Sequence, residues 1–152
     1  MSGWVYKIQE SYNNILPFVE YFEKEYQDAT KEVKLEGRIE DNSARLPGEF
    51  EYRYRQLQEI EAVLEFLNID LRRERSSLYK KYLENYKRQL TSRDIDKYID
   101  GEAEIVELQI LLNEVALIRN KFLALTKGFE AKGFQLNNII RLRSAGIEDA
   151  SI

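Results

Sequence analysis

The chain has 152 residues, 43% of them hydrophobic and 33% charged, with 23 Lys and Arg against 27 Asp and Glu and a formal net charge of −4. Such a length holds one domain with a real core, the apolar share excludes wholesale disorder, and 7 Gly with 2 Pro are too few for the frequent turns of an all-β chain. With no Cys and no His, the composition excludes a disulfide framework, thiol or imidazole catalysis, the usual zinc sites and a di-iron bundle built on Glu-x-x-His.

No Gly-x-x-x-x-Gly-Lys-Ser/Thr or Gly-x-Gly-x-x-Gly run occurs, so no phosphate cradle of those types can be built. Paired carboxylates remain as a catalytic option, for a glycosidase or a magnesium-dependent nuclease, but the acidic residues are spread along helix faces. The opening MSGWVYKIQESYNN does not read as a signal peptide, and no run approaches 18 apolar residues. A cytoplasmic protein without enzyme activity, metal or cofactor is expected.

Taken in chain order, residues 4–35 carry Tyr12, Ile15, Leu16, Val19, Phe22, Tyr26 and Val33 at helical spacing. Pro17 lacks an N–H and clashes with the preceding turn, which predicts a short first helix and a second beginning near Pro17 as its first residue. Gly37 is the expected stop. Residues 37–48 (GRIEDNSARLPG) are rich in breakers and read as a loop. Residues 1–48 are therefore expected to form a helical arm and loop, and residues 49–152 the helical core.

From Glu49 to about Ser92 there is no Gly or Pro, and Phe50, Leu57, Leu64, Leu71 and Leu78 recur every seventh residue with Ile60 and Leu67 between them. That heptad seam predicts one long helix packed lengthwise on another, within the chain or, alternatively, between subunits. After Leu71 the seam narrows, because Glu74 and Lys81 take its second position. Residues 91–101 (TSRDIDKYIDG) read as a connector with about one helical turn, and Asp100 as the N-cap of the next helix. A second heptad series follows, with Leu108, Val115, Phe122 and Phe129 on one position and Leu111, Ile118 and Leu125 on the other. Gly133 stands where a left-handed C′ residue belongs, with Phe134 closing over the last turn. A short helix through Leu136, Ile139, Ile140 and Leu142 is expected to end by Gly146, leaving a frayed tail. The fold class is all-α: two long antiparallel heptad helices with shorter helices at both ends, having more apolar surface than one chain covers and hence self-associating.

Charge is unevenly distributed. Between residues 72 and 93 stand Arg72, Arg73, Arg75, Lys80, Lys81, Lys87, Arg88 and Arg93 against Glu74 and Glu84, a net +6 that leaves −10 for the rest. Tyr79, Tyr82 and Tyr86 are interleaved with them. Basic side chains neutralise phosphates, and aromatic faces stack on unpaired bases, so the segment suits single-stranded nucleic acid held without sequence preference. The plainer reading is a solvated basic face paired with the acidic remainder, its tyrosines filling gaps between helices.

The run Asp100-Gly101-Glu102-Ala103-Glu104-Ile105-Val106 through Gly133-Phe134-Gln135-Leu136-Asn137-Asn138-Ile139, then Arg143 and Gly146, resembles the UvsY recombination mediators of T-even-like bacteriophages. Upstream, Lys80-Lys81-Tyr82-Leu83-Glu84-Asn85-Tyr86 is similar to that family's basic-aromatic DNA-contact run, with Tyr82 standing where the family has an Arg and Lys81 carrying the second charge one position earlier. The resemblance spans about residues 68–146 and leaves residues 1–48 unmatched. It implies a non-catalytic mediator that binds single-stranded DNA, assembles into a ring of six or seven subunits, and loads a RecA-like recombinase onto DNA covered by single-strand binding protein. On this reading Lys80, Lys81, Lys87 and Arg88 meet phosphates, Tyr82 and Tyr86 stack on bases, and Arg72, Arg73, Arg75 and Arg93 widen the positive track. Leu108, Leu111, Val115, Ile118, Phe122, Leu125, Phe129 and Phe134 are expected to hold subunits together. The competing expectation is a structural or adaptor protein, such as a virion or assembly component, with no nucleic-acid role.

Overall fold

The computed structural model describes residues 3–85 and 89–146, and among them every regular element is helical. The order is α1 (Gly3–Glu10), a single 3-10 turn (Tyr12–Asn14), α2 (Ile15–Val33), α3 (Ile39–Asn85), α4 (Ser92–Asp100) and α5 (Ala103–Ser144).

The break between α1 and α2 is made by Ser11. Its extended backbone leaves the helix, and its hydroxyl accepts from the N–H of Asn13. The Asn14 amide donates back to the carbonyl of Lys7 at 2.7 Å and holds the two helices at the corner. Pro17 is the third residue of α2 rather than the first, still in the opening turn where its missing N–H has no helical partner to lose. The helix then ends at Val33, before the expected stop, and Gly37 takes a φ of +81° in the link that follows.

The loop expected over residues 37–48 is confined to residues 34–38. Helix α3 begins at Ile39 and runs through Pro47 without interruption. Two features override the breakers. The buried Asn42 amide donates to the carbonyls of Glu36 and Arg38 at 2.8 and 2.7 Å, clamping the link onto the first turn. Beyond it, Leu46 and Phe50 find apolar cover on α5: Phe50 meets Phe129 with ring centroids 6.0 Å apart, and Leu46 lies against Gly133.

The expected stop at Gly133 is likewise overridden. Helix α5 continues to Ser144, where Gly146, at φ +82°, ends it. Lys132 and Leu136 extend the buried face seven residues beyond Leu125 and Phe129, so packing on the early turns of α3 sustains the helix past its glycine. Phe134 does not close over a helix end but stands 72% exposed.

One cluster joins α1, α2, α3 and α5. Val5, Ile8, Ile15, Phe18 and Phe22 from the N-terminal helices pack with Leu57, Ile60, Val63 and Leu67 of α3 and with the α5 seam. A smaller cluster, Leu78, Ile95, Ile99 and Ile105, closes the far end. It exists because residues 92–100 form a complete amphipathic helix instead of a one-turn connector. The Thr91 hydroxyl caps that helix by accepting from the Asp94 N–H, and Ile95 and Ile99, one turn apart, are fully covered. Asp100, expected to cap α5, is the last residue of α4; Glu102 stands at the N-cap of α5 and makes no side-chain cap bond. The expected frayed tail, residues 147–152, lies outside the described residues.

Candidate nucleic-acid interface

The last turns of α3 leave the main core and rest on α4 and the start of α5. Only Leu78 keeps the seam buried there, while Tyr79 and Tyr82 pack half-buried against the small cluster. Everything on the opposite side of these turns is open to solvent, including Arg72, Arg73, Ser76, Ser77, Lys80 and Lys81. Arg93 is exposed on the first turn of α4.

The arginines nearest the main core have carboxylate partners. Arg72 reaches Glu65 at 3.0 Å, Arg73 reaches Asp70 at 3.6 Å, and Arg75 joins α3 to α4 through Asp100 at 2.8 Å. The Arg72–Glu65 pair is exposed at both ends and Arg73 at its own end, with Asp70 largely covered; exposed charges are held so weakly by water-screened attraction that a polyanion competes for them readily. Arg75 is about one-third exposed and serves as a strut. Lys80, Lys81 and Arg93 make no salt bridge or side-chain hydrogen bond with any described residue. Tyr86, Lys87 and Arg88 lie outside the described residues.

Tyr82 is not the open platform that base stacking requires. Its ring lies on that of Tyr98, with centroids 5.8 Å apart and planes 16° from parallel, and its hydroxyl donates to the Glu102 carboxylate. Tyr79 similarly exchanges a 3.1 Å hydrogen bond with Ser92. Both tyrosines fasten α3 to α4 and to the start of α5. The interleaving visible in sequence thus has a packing cause: residues 75, 78, 79 and 82 form the inner face, and Arg72, Arg73, Lys80 and Lys81 the outer one.

The face expected to join subunits is used within the subunit. Leu108, Val115, Ile118, Phe122, Leu125 and Phe129 are buried in the chain's own core and Leu111 is half-buried against it, because α1, α2 and α3 together cover what α3 alone could not. Of the eight residues only Phe134 is exposed. A second apolar row, missed in sequence, faces outward on α5: Val106, Ile110, Leu117 and Phe134, with Ala124 and Ala131 continuing the spacing. Its signal was legible in principle, since α5 carries apolar residues at three- and four-residue steps on two sides.

Also missed was a charged network on the seam itself. Arg53 takes the slot three residues after Phe50 and is buried there, bound to Glu32, Glu25 and Gln56. Burial works against the Glu25 carboxylate. Hydrogen bonds from Gln56 and Arg53 and the charge of Arg53 outweigh it, holding the carboxyl below its ordinary value. Lys132, seven residues after Leu125, donates to the carbonyl of Glu32 at 2.7 Å; burial draws its ammonium below the usual lysine range against the opposing charges of Glu49 and Glu32. These groups lock the end of α2 between α3 and α5.

Among the described residues no three carboxylates converge as a metal site would require, and no helix is long and apolar enough to cross a membrane. Among the described residues the fold is all-helical, with one cationic face, Arg72, Arg73, Lys80 and Lys81, on α3, while the neighbouring α4 carries Asp94, Asp96 and Asp100 beside Arg93 and Lys97. Comparison with family models, with curated proteins and with solved structures gives no match.

Proposed function

We propose that this chain is a non-catalytic, single-stranded DNA-binding recombination mediator that helps load a RecA-like recombinase onto DNA covered by single-strand binding protein. The observation that carries the reading is the group Lys80, Lys81 and Arg93, solvent-exposed and without carboxylate partners among the described residues, beside the loosely paired Arg72 and Arg73. Cations left uncompensated on a chain of net −4 are a local attractor for a polyanion, while the acidic remainder of the chain repels it elsewhere and meets the basic surfaces of protein partners. The similarity of residues 80–86 to the mediators' DNA-contact run adds the ligand class. Phosphate contact rather than stacking dominates at the described residues, since Tyr82 is engaged with Tyr98 and Glu102.

Approach of residue 46 to 133, of 50 to 129 and of 78 to 105 supports antiparallel pairing of α3 and α5. Assembly into a ring-like oligomer, implied by the family resemblance, would use the outward row Val106, Ile110, Leu117 and Phe134 in place of the buried seam. Linking subunits makes several weak DNA footprints act as one. The host cytoplasm is the compartment this role requires.

Titrating the chain with a labelled, unstructured oligonucleotide at several salt concentrations tests the reading. Affinity is expected to fall with salt at a slope of about −0.7 in log–log form for each phosphate neutralised. Absent binding at low salt overturns it and returns the chain to the structural or adaptor class.

A further inference from the structure

We infer that the turn of α3 between Arg73 and Lys80 is a phosphate seat in which the hydroxyls of Ser76 and Ser77 act beside the cations, an inference that rests on the strand-binding reading above. Arg73, Ser76, Ser77, Lys80 and Lys81 line one shallow groove, with Glu84 at its far edge. The spacing creates it. Arg73 lies three and four residues before the serines, and Lys80 four and three residues after them, so all four side chains share one helix face. Two small residues between two long cationic ones leave a concavity whose floor is polar and whose walls are positive.

The serines are exposed and have no hydrogen-bond partner among the described residues. This differs from Thr30 and Thr126, whose hydroxyls are taken up by the carbonyls of Gln27 and Phe122 at 2.7 and 3.1 Å. A phosphodiester oxygen only accepts, and a serine hydroxyl rotates freely to donate to it. Arg73 is held to Asp70 only at 3.6 Å, and its own exposed side chain can turn toward the groove. Glu84 repels an anion at the other end, which sets the phosphate on the Arg73 side of Lys80.

The test uses the full chain and a labelled oligothymidylate at several salt concentrations. Ser76→Ala with Ser77→Ala keeps α3 folded, because alanine is the stronger helix former. Affinity is expected to fall about tenfold, as for loss of a hydrogen bond to a charged group. The slope against log salt stays unchanged, since a neutral hydroxyl displaces no counterion. Ser77→Thr, which keeps the hydroxyl, retains the affinity. Unchanged affinity in the double alanine variant, while Lys80→Ala with Lys81→Ala weakens binding, overturns the seat and leaves the strand-binding reading standing. No effect from either pair overturns both. Weaker binding with a shallower slope in the serine variant also overturns the seat, because the serines would then be positioning a cation.

Discussion

Arg53 grips Glu32 through two parallel hydrogen bonds, Nε to Oε2 at 2.9 Å and Nη2 to Oε1 at 2.6 Å, and so ties the first third of α3 to the last turn of α2. A third contact, Nη1 to Glu25 at 2.7 Å, brings a second carboxylate onto the same guanidinium. Arg53→Ala removes the cation and leaves both carboxylates partly buried against each other. A loss of about 3 kcal/mol is expected, the scale measured when one member of a buried ion pair is deleted. Urea unfolding followed by circular dichroism measures it, and a loss under about 1 kcal/mol would mean that water already compensates the network.

The same network makes stability depend on acid. The carboxyl of Glu25 is held below its ordinary value of 4.5 in the folded chain. A depressed carboxyl contributes stability above the unfolded value, and that contribution is lost as the pH falls below 4.5 toward the folded value. Glu25→Gln should therefore be less stable than the parent near neutrality and flatten the acid limb of the stability curve. Parallel curves for the two proteins would contradict this.

Two glycines of α5 predict opposite signs. A Cβ at Gly128 would stand 2.9 Å from Cγ1 of Val33, a β-branched side chain with little rotamer freedom, so Gly128→Ala is expected to cost about 1 to 3 kcal/mol. At Gly133 the nearest atom is Leu46 Cδ2 at 3.5 Å, an ordinary contact, and Gly133→Ala is expected to gain about 1 kcal/mol of helix propensity. Melting curves of the two variants decide it. Destabilisation by Gly133→Ala would mean that α3 and α5 approach more closely there.

Lys80→Ala with Lys81→Ala should lower single-strand affinity alike for all sequences and reduce the salt slope by about 1.4, two phosphate contacts at 0.7 each. Both residues are exposed, so the circular dichroism spectrum and native mass should not change. A smaller native mass would make these lysines part of a subunit contact instead.

Leu117→Ser with Phe134→Ser should dissociate an assembly built on the outward row of α5 while leaving the subunit folded, because both side chains are exposed, 57% and 72%. Light scattering reads the mass. Val115→Ala, in the covered seam, should lower stability by about 1 to 3 kcal/mol with any dissociation following from unfolding. Unchanged mass in the serine variant would remove the outward row as the contact.

The spacing of apolar residues determined the helical class, both seams and the basic segment, because a 3.6-residue period and a run of like charges are local properties of the chain. Leu57, Ile60 and Leu67, and Leu108 through Phe129 with Leu111 half-covered, lie against the core as that periodicity requires. Where the helices end, and what each face meets, was decided only by tertiary structure. Pro47 and Gly133 are breakers by their own chemistry, yet each sits in a helix because Leu46 lies against Gly133 and Phe50 against Phe129 across the gap between α3 and α5. Residues 92–100 have too few residues to hold a helix alone and form one because Ile95 and Ile99 are covered by Leu78 and Ile105. Sequence also could not sort the tyrosines from the lysines of one basic run. Burial at the contact with α4 turned Tyr79 and Tyr82 inward and left Lys80 and Lys81 in water.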